Sequence, residues 1–256
     1  NIKIFKGFTV VDTFGYKRIN RVSIMQLSKD GQNVLGSKMV LPCDCLGISG
    51  GWTPAVHLFT QSGGKLKFRE QDQVFIPNLY SSDQISVGSC NGDFTLENII
   101  KNTAKYLKEF LNIKKTEYEN VNIISDDNQS KRNIWLLPSD KILGKTKSFV
   151  DYQNDATAKD IKLALREGFR SIEHVKRYTT TGMGTDQGKL GNMHALGIIS
   201  ETAGTKMGKH GTTTFRPPYT PLTFGTIVGR SVGEYFDIFR RTQILDWHEK
   251  KNAEFE

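Results

Sequence analysis

Between Thr157 and Ile199 the chain carries a full set of helix start and stop signals, and no other feature limits its fold as tightly. Thr157 followed by Asp160 has the form of an N-cap arrangement, Ile161, Ala164, Leu165 and Phe169 make an inward stripe, and Gly168 ends the helix. Ser171 is placed to cap a second helix that bears Ile172, Val175 and Tyr178, and a third with Met193, Leu196 and Ile199 closes a module that starts at Val150. Between the second and third helices runs Thr179 to Lys189, with three glycines and four hydroxyls in eleven residues. Such a turn presents backbone N–H groups and side-chain donors, and Lys176, Arg177 and Lys189 add positive charge, which together are what a phosphate needs. The plainer reading is an exposed loop of a structural domain.

Upstream, to about Leu111, the pattern is one of short strands and then a helix. Ile2 to Val11 and Arg21 to Leu27 alternate with a period of two across the turn GYKRIN, and VLGSKMVLPCDCLGIS supplies two more strands. This predicts a β-meander feeding a buried strand, Cys45 to Ser49, that opens into Gly50, Gly51, Trp52, Thr53 and Pro54. Ile85 to Ser89 reads as another short strand. Leu96, Ile99, Ile100, Ala104 and Leu107 then recur at helical spacing, which puts Gly92 and Asp93 at a strand-to-helix turn. A helix start there offers N–H groups and a positive dipole end to a cofactor, although glycines precede helices wherever a sheet turns into one. From Asn112 to Lys147 the chain is polar and aperiodic, a linker tethered by Trp135, Leu136 and Leu137.

Composition narrows the function classes. The net charge of +8 over 256 residues is interleaved with acids, as in REGFRSIEHVKR, which describes solvated helix faces better than a nucleic-acid surface. A moderate positive field favours anionic ligands such as flavin phosphate, pyrophosphate or a polyglutamyl folate. No apolar run nears the roughly 20 residues of a membrane span. Cys43, Cys45 and Cys90 make no disulfide framework and suit a reducing cytoplasm. Cys43 and Cys45 fall on one strand face and read as buried, unreactive thiols, since two ligands leave a zinc site incomplete. The five histidines show no metal-ligand spacing, and hydrolase elbows and Walker sequences are missing. Pro217, Pro218 and Pro221 impose an extended crossing that docks through Phe215 and Tyr219, with Arg216 open to a flavin phosphate or carboxylate substrate or, as is commoner for such an Arg, holding two domains together.

The wording KRYTTTGMGTDQGK and TTTFRPPYTP resembles the alpha subunits of heterotetrameric sarcosine oxidases. The stretch from Asp151 to Asn192 also resembles the bacterioferritin-associated-ferredoxin-like module, in which a C-x-C pair and a later C-x4-C pair hold a cluster. Here Asp151, Gln153, Asp186 and Gly191 stand in those four places, and none supplies the thiolate that iron–sulfur clusters need.

The resemblance implies a mixed α+β chain that is an internal piece of such a subunit. Residues 1–111 would be the C-terminal half of a dinucleotide-binding α/β domain, 112–147 a linker, 148–208 a cluster-free ferredoxin-like helical module, and 209–256 an extended lead into an aminomethyltransferase-like folate domain. It further implies NAD bordered by Gly88, Gly92, Asp93 and Leu96, with SGGWTP around Gly50 and Gly51 closing the nucleotide domain. FMN shared with the beta subunit would be faced by Arg177, Thr179, Thr180 and Lys189. FAD would lie in the beta subunit, tetrahydrofolate in the folate domain, and no iron–sulfur cluster is implied. Beta, gamma and delta subunits are the implied partners, a small amine such as sarcosine the substrate, and the cytoplasm the location. The implied reaction is oxidative demethylation of sarcosine to glycine with hydrogen peroxide formed and the one-carbon unit passed to tetrahydrofolate, no catalytic residue being assigned to this chain. Alternatives are a structural or electron-transfer adaptor in a related amine or proline dehydrogenase complex, and a reductase of the disulfide-reductase type.

Overall fold

The alternating pattern of the first forty residues becomes a three-stranded antiparallel meander, β1 (Phe8–Gly15), β2 (Ile19–Leu27) and β3 (Val34–Pro42), in the order β1-β2-β3. The computed structural model describes residues 2–81, 83–112, 134–141, 145–230, 233 and 241–254. As the central strand, β2 buries Val22, Ser23, Ile24 and Met25. The first strand starts at Phe8, and Ile2 and Ile4 are exposed, so the alternation from Ile2 overran the ladder. Two further expectations fail here. The segment from Cys45 to Ser49 forms no strand and is largely exposed. The Cys43 N–H makes the last bond to this sheet, on the Asn20 carbonyl, and the chain bends away at Asp44. Apolar spacing alone cannot provide a neighbouring strand to bond. Ile85 to Ser89 likewise forms no strand: Gly88 and Gly92, at φ +71° and +84°, curl the chain into a 3-10 turn over Gly88–Asn91.

After α1 (His57–Gln61), β4 (Lys65–Arg69) and β5 (Val74–Leu79) pair as a hairpin, and α2 (Leu96–Phe110) follows as expected. Thr95 caps α2, its hydroxyl accepting from the Asn98 N–H. The helix buries none of its residues.

The helical module opens on a small antiparallel pair, β6 (Phe149–Asp151) with β7 (Ala156–Thr157), and continues through α3 (Ala158–Arg166), α4 (Ile172–Thr179) and α5 (Asn192–Ala203). Thr157 and Asp160 form a reciprocal capping box, the Thr157 N–H donating to Oδ2 of Asp160 at 2.8 Å. Ser171 holds the N-cap place of α4 without a side-chain capping bond, contrary to expectation. Tyr178 also departs from its expected stripe: it is exposed and rests on Phe169, ring centroids 4.7 Å apart.

Ile161, Ala164, Leu165, Ile172, Val175, Leu196 and Ile199 make one core, and it takes in Phe75 with partly buried Leu66 and Phe68 from the β4–β5 hairpin. The hairpin and the helical module are therefore packed together. Helix α5 is central, buried continuously from Ala195 to Ser200. Trp135 lies on it at Gly197, where a Cβ would sit 2.0 Å from the indole Cγ. This is the expected tether, made by Trp135 and Leu136, whereas Leu137 is exposed. Most of the linker, 113–133 and 142–144, lies outside the described residues.

The chain divides into two compact units, Asn1–Tyr219 and Thr220–Glu256. The second contains α6 (Phe224–Val228), capped by Thr223, and α7 (Leu245–Lys250). Among the described residues no helix is long and apolar enough to cross a membrane.

Candidate functional site

Asp151 ends β6 with its carboxylate buried, an expensive position for a charge unless it is hydrogen-bonded. Oδ1 accepts from the N–H groups of Gln153 and Asn154 at 2.9 and 3.0 Å, and Oδ2 from the N–H of Gly182 at 2.6 Å. Burial raises its pKa, but the N–H groups of Gly182, Asn154 and Gln153 and the side chain of Asn154 outweigh burial and hold the carboxyl below the ordinary aspartate value. Gln153 reaches the far side of the turn: its Nε2 donates to the Thr185 hydroxyl at 3.1 Å and its Oε1 accepts the Asp186 N–H at 3.3 Å. Asp151, Gln153, Asp186 and Gly191, the four residues singled out by the resemblance to a ferredoxin-like module, line one cavity of about 280 Å³. Oxygen and amide groups there tie the turn to β6 by hydrogen bonds.

The turn is thus closed on itself. Thr181 N–H donates to Thr179 Oγ1, Met183 N–H to Thr180 O, Gln187 N–H to Gly184 O, Gly188 N–H to Asp186 Oδ1, and Lys189 N–H to Asp186 O. The expected open cradle of N–H groups is corrected accordingly: the amides of Thr181, Met183, Gln187, Gly188 and Lys189 bond within the turn, and those of Gly182 and Asp186 bond Asp151 and Gln153. The hydroxyls are similarly engaged. Thr179 Oγ1 bonds the Val175 carbonyl and Thr181, and Thr180, in the left-handed region at φ +59°, donates to the Thr179 carbonyl.

What the turn leaves outward is cationic. The Lys189 ammonium lies 4.1 Å from the centroid of the Tyr219 ring and has no carboxylate partner among the described residues. Tyr219 also stacks on the His57 imidazole, centroids 3.5 Å apart and planes 1° from parallel, and meets Phe215 edge-on at 5.1 Å. Burial raises the Tyr219 pKa, and burial followed by the Lys189 charge lowers that of His57. Arg177, on the last turn of α4, pairs with Glu173 at 2.6 Å and is exposed. Gln187 fastens the crossing segment to the turn. Its Nε2 donates to the carbonyls of Arg216 (2.8 Å) and Pro218 (3.0 Å), and its Oε1 accepts the Arg216 N–H (2.7 Å). The docking of Phe215 and Tyr219 was legible in the sequence; the parts played by Gln187, His57 and Asp151 were not, since each depends on residues about 30 or more positions away.

The other expected site residues fall in two places. Gly88, Gly92, Asp93 and Leu96 follow one another along the 3-10 turn and the start of α2. The Gly92 carbonyl accepts from Arg69 at 2.6 Å, and a Cβ at Gly92 would sit 2.7 Å from that guanidinium. Asp93 Oδ1 accepts from Asn102 at 2.9 Å, while its Oδ2 is buried without a hydrogen-bond partner among the described residues. Gly50 and Gly51 lie in exposed chain, and a Cβ on Gly50 would rest 3.6 Å from the His194 ring of α5.

Comparison with known proteins matches residues 145–230 to the sarcosine oxidase A3 domain. The chain is 32% identical over 263 residues to the sarcosine oxidase subunit alpha of Rhizobium meliloti (strain 1021), covering 96% of this chain and 26% of that one. It is also 32% identical over 265 residues to the sarcosine oxidase subunit alpha of Corynebacterium sp. (strain P-1), covering 100% of this chain and 27% of that one. It therefore spans about a quarter of the length of these curated relatives. Among solved structures, L-proline dehydrogenase from P. horikoshii shares the fold at a TM-score of 0.50 and 19% identity, over 86% of this chain and 44% of that one.

Proposed function

Because the chain belongs to the sarcosine oxidase alpha-subunit family and carries its A3 domain at residues 145–230, we propose that it forms part of the cofactor wall of an amine-oxidising flavoenzyme. The observation that carries this reading is the Lys189 ammonium, set over Tyr219 at the edge of a turn that the Asp151 carboxylate ties to β6. A cation held in that way suits the phosphate of FMN, and the exposed guanidinium of Arg177 on the adjoining helix end would join it by exchanging its Glu173 partner for the phosphate. Thr179 and Thr180 shape the turn, their hydroxyls being turned to its own backbone. At the start of α2, the buried and unpartnered Oδ2 of Asp93 offers the acceptor that a ribose hydroxyl of NAD requires, with Gly88, Gly92 and Leu96 beside it. When bound, FMN supplies electron transfer. The residues of this chain bind and orient its phosphate, and the oxidation of the amine is assigned to FAD on a beta subunit.

For the complete assembly the proposed reaction is oxidative demethylation of sarcosine to glycine, with hydrogen peroxide formed and the one-carbon unit passed to tetrahydrofolate, in a cytoplasmic complex with beta, gamma and delta subunits. The test is flavin content of the purified assembly carrying Lys189→Met and Arg177→Met, read by absorbance after denaturation. A loss of FMN with FAD retained is expected. Unchanged FMN occupancy in the double variant overturns the assignment.

A further inference from the structure

Cys43 and Cys45 sit where the chain leaves the meander, outside the site described above. The sequence reading put both on one buried strand face; in the structure Cys45 is exposed, Cys43 is half-buried, and both are free thiols. Cys43 is anchored, since its N–H donates to the Asn20 carbonyl at 3.1 Å as the last bond of the β2–β3 edge. Cys45 lies past a bend at Asp44 in chain without ladder bonds. Two residues apart, their Cα atoms are limited by two virtual bonds to about 7.6 Å. A bend at the intervening residue shortens that span toward the roughly 4.4–6.8 Å that a disulfide bridges. One thiol is thus borne on the last bonded residue of a sheet, and the other, two residues on, faces solvent. The third cysteine differs: Cys90 is half-buried, and its Sγ donates to the Val87 carbonyl at 2.9 Å.

We propose that Cys43 and Cys45 are a redox-active dithiol that hydrogen peroxide converts to a disulfide within the loop. The Cys45 thiolate attacks one peroxide oxygen, forming an S–O bond as the O–O bond breaks. The departing hydroxide takes a proton, leaving water and a sulfenic acid. The Cys43 sulfur then attacks the sulfenic sulfur, the S–S bond forms, the S–O bond breaks, and a second water leaves with the Cys43 proton. Both sulfurs are oxidised by one electron each and one peroxide is reduced to two waters. A disulfide across so short a loop is strained and exposed, the kind that thiols reduce readily, so the step is reversible.

The inference does not depend on the flavin assignment, because the experiment supplies the peroxide. The purified protein, in its assembly, is treated with hydrogen peroxide at near-stoichiometric amounts, alkylated, digested and examined by mass spectrometry. The peptide holding both cysteines is expected to lose the mass of two hydrogens and its capacity for alkylation, to regain both with dithiothreitol, and to do so while Cys90 stays alkylatable. In Cys43→Ser the sulfenic acid at Cys45 has no partner and accumulates as a dimedone adduct several-fold above wild type. Retention of both thiols after treatment, a disulfide from Cys45 to another chain, or equal dimedone labelling in wild type and Cys43→Ser overturns the proposal.

Discussion

Replacing Asp151 with asparagine keeps the shape of the side chain and removes its charge. Oδ1 of the new residue can still accept from Gln153 and Asn154, but an NH2 group then faces the Gly182 N–H, donor against donor, at a position that now holds a 2.6 Å bond. Losing a hydrogen bond to a charged group costs about 1.5–3 kcal/mol, and a buried donor left unsatisfied costs about 1–3 kcal/mol. Because these overlap, a loss of about 2–4 kcal/mol is expected. Urea denaturation of wild type and Asp151→Asn at neutral pH measures it, and repetition down to acid pH supplies an independent signature. The Asp151 carboxyl titrates below its ordinary value in the folded protein. The unfolded chain therefore takes up the proton first, at about pH 3.9, and the stabilisation is complete above that value and lost as pH falls through the folded one. The variant lacks this component, so the two curves should converge in acid. Equal stability at neutral pH, or a difference that persists undiminished at the acid end, refutes the role of the carboxylate as the anchor of the turn.

Gly197→Ala places a methyl group inside the Trp135 ring contact and should cost about 1–3 kcal/mol, read as a lowered melting temperature with a shift in tryptophan emission; an unchanged melting temperature contradicts the packing. Gln187→Ala removes three hydrogen bonds to the crossing segment, about 1–3 kcal/mol of local stability. Chymotryptic cleavage at Phe215 and Tyr219 should accelerate, and equal digestion rates count against the clamp. His57 has a lowered pKa in the folded protein, so its contribution to stability is present above the unfolded value of about 6.5 and declines as pH falls below it. In Lys189→Met the nearby positive charge is gone and the imidazole should titrate at higher pH, as followed by NMR; a value equal to wild type shows that Lys189 does not act on it.

The helices were readable because their signals are local. The capping pair Thr157 and Asp160, the stripe Ile161, Ala164 and Leu165, and the terminal Gly168 lie within about three turns, and the structure uses each as the pattern implies. Strands were harder, because a ladder needs a partner that spacing does not reveal. Cys45 to Ser49 has the apolar look of a strand and no neighbour to bond, whereas β4 and β5 pair through alternations too brief to stand out against the surrounding polar chain. At the site, the Gly-Thr turn and its basic flanks were visible, but the disposition of its N–H groups was not. Nothing near Gly182 in sequence indicates that its N–H is spent on a carboxylate thirty-one residues earlier. Asp151, Gln153 and Asp186 are tied to the turn by hydrogen bonds that span about thirty residues, and Gly191 lines the same cavity.

The stretch from Arg216 to Tyr219 is secured in two dissimilar ways. Gln187 grips its backbone through an uncharged amide, which salt and acidity leave alone. The stack of His57, Tyr219 and Lys189 relies on an ammonium over a ring and on an imidazole kept neutral, and each responds to the surrounding medium. Mild acid or high ionic strength would slacken the aromatic end of this segment while the Gln187 bonds to its backbone hold.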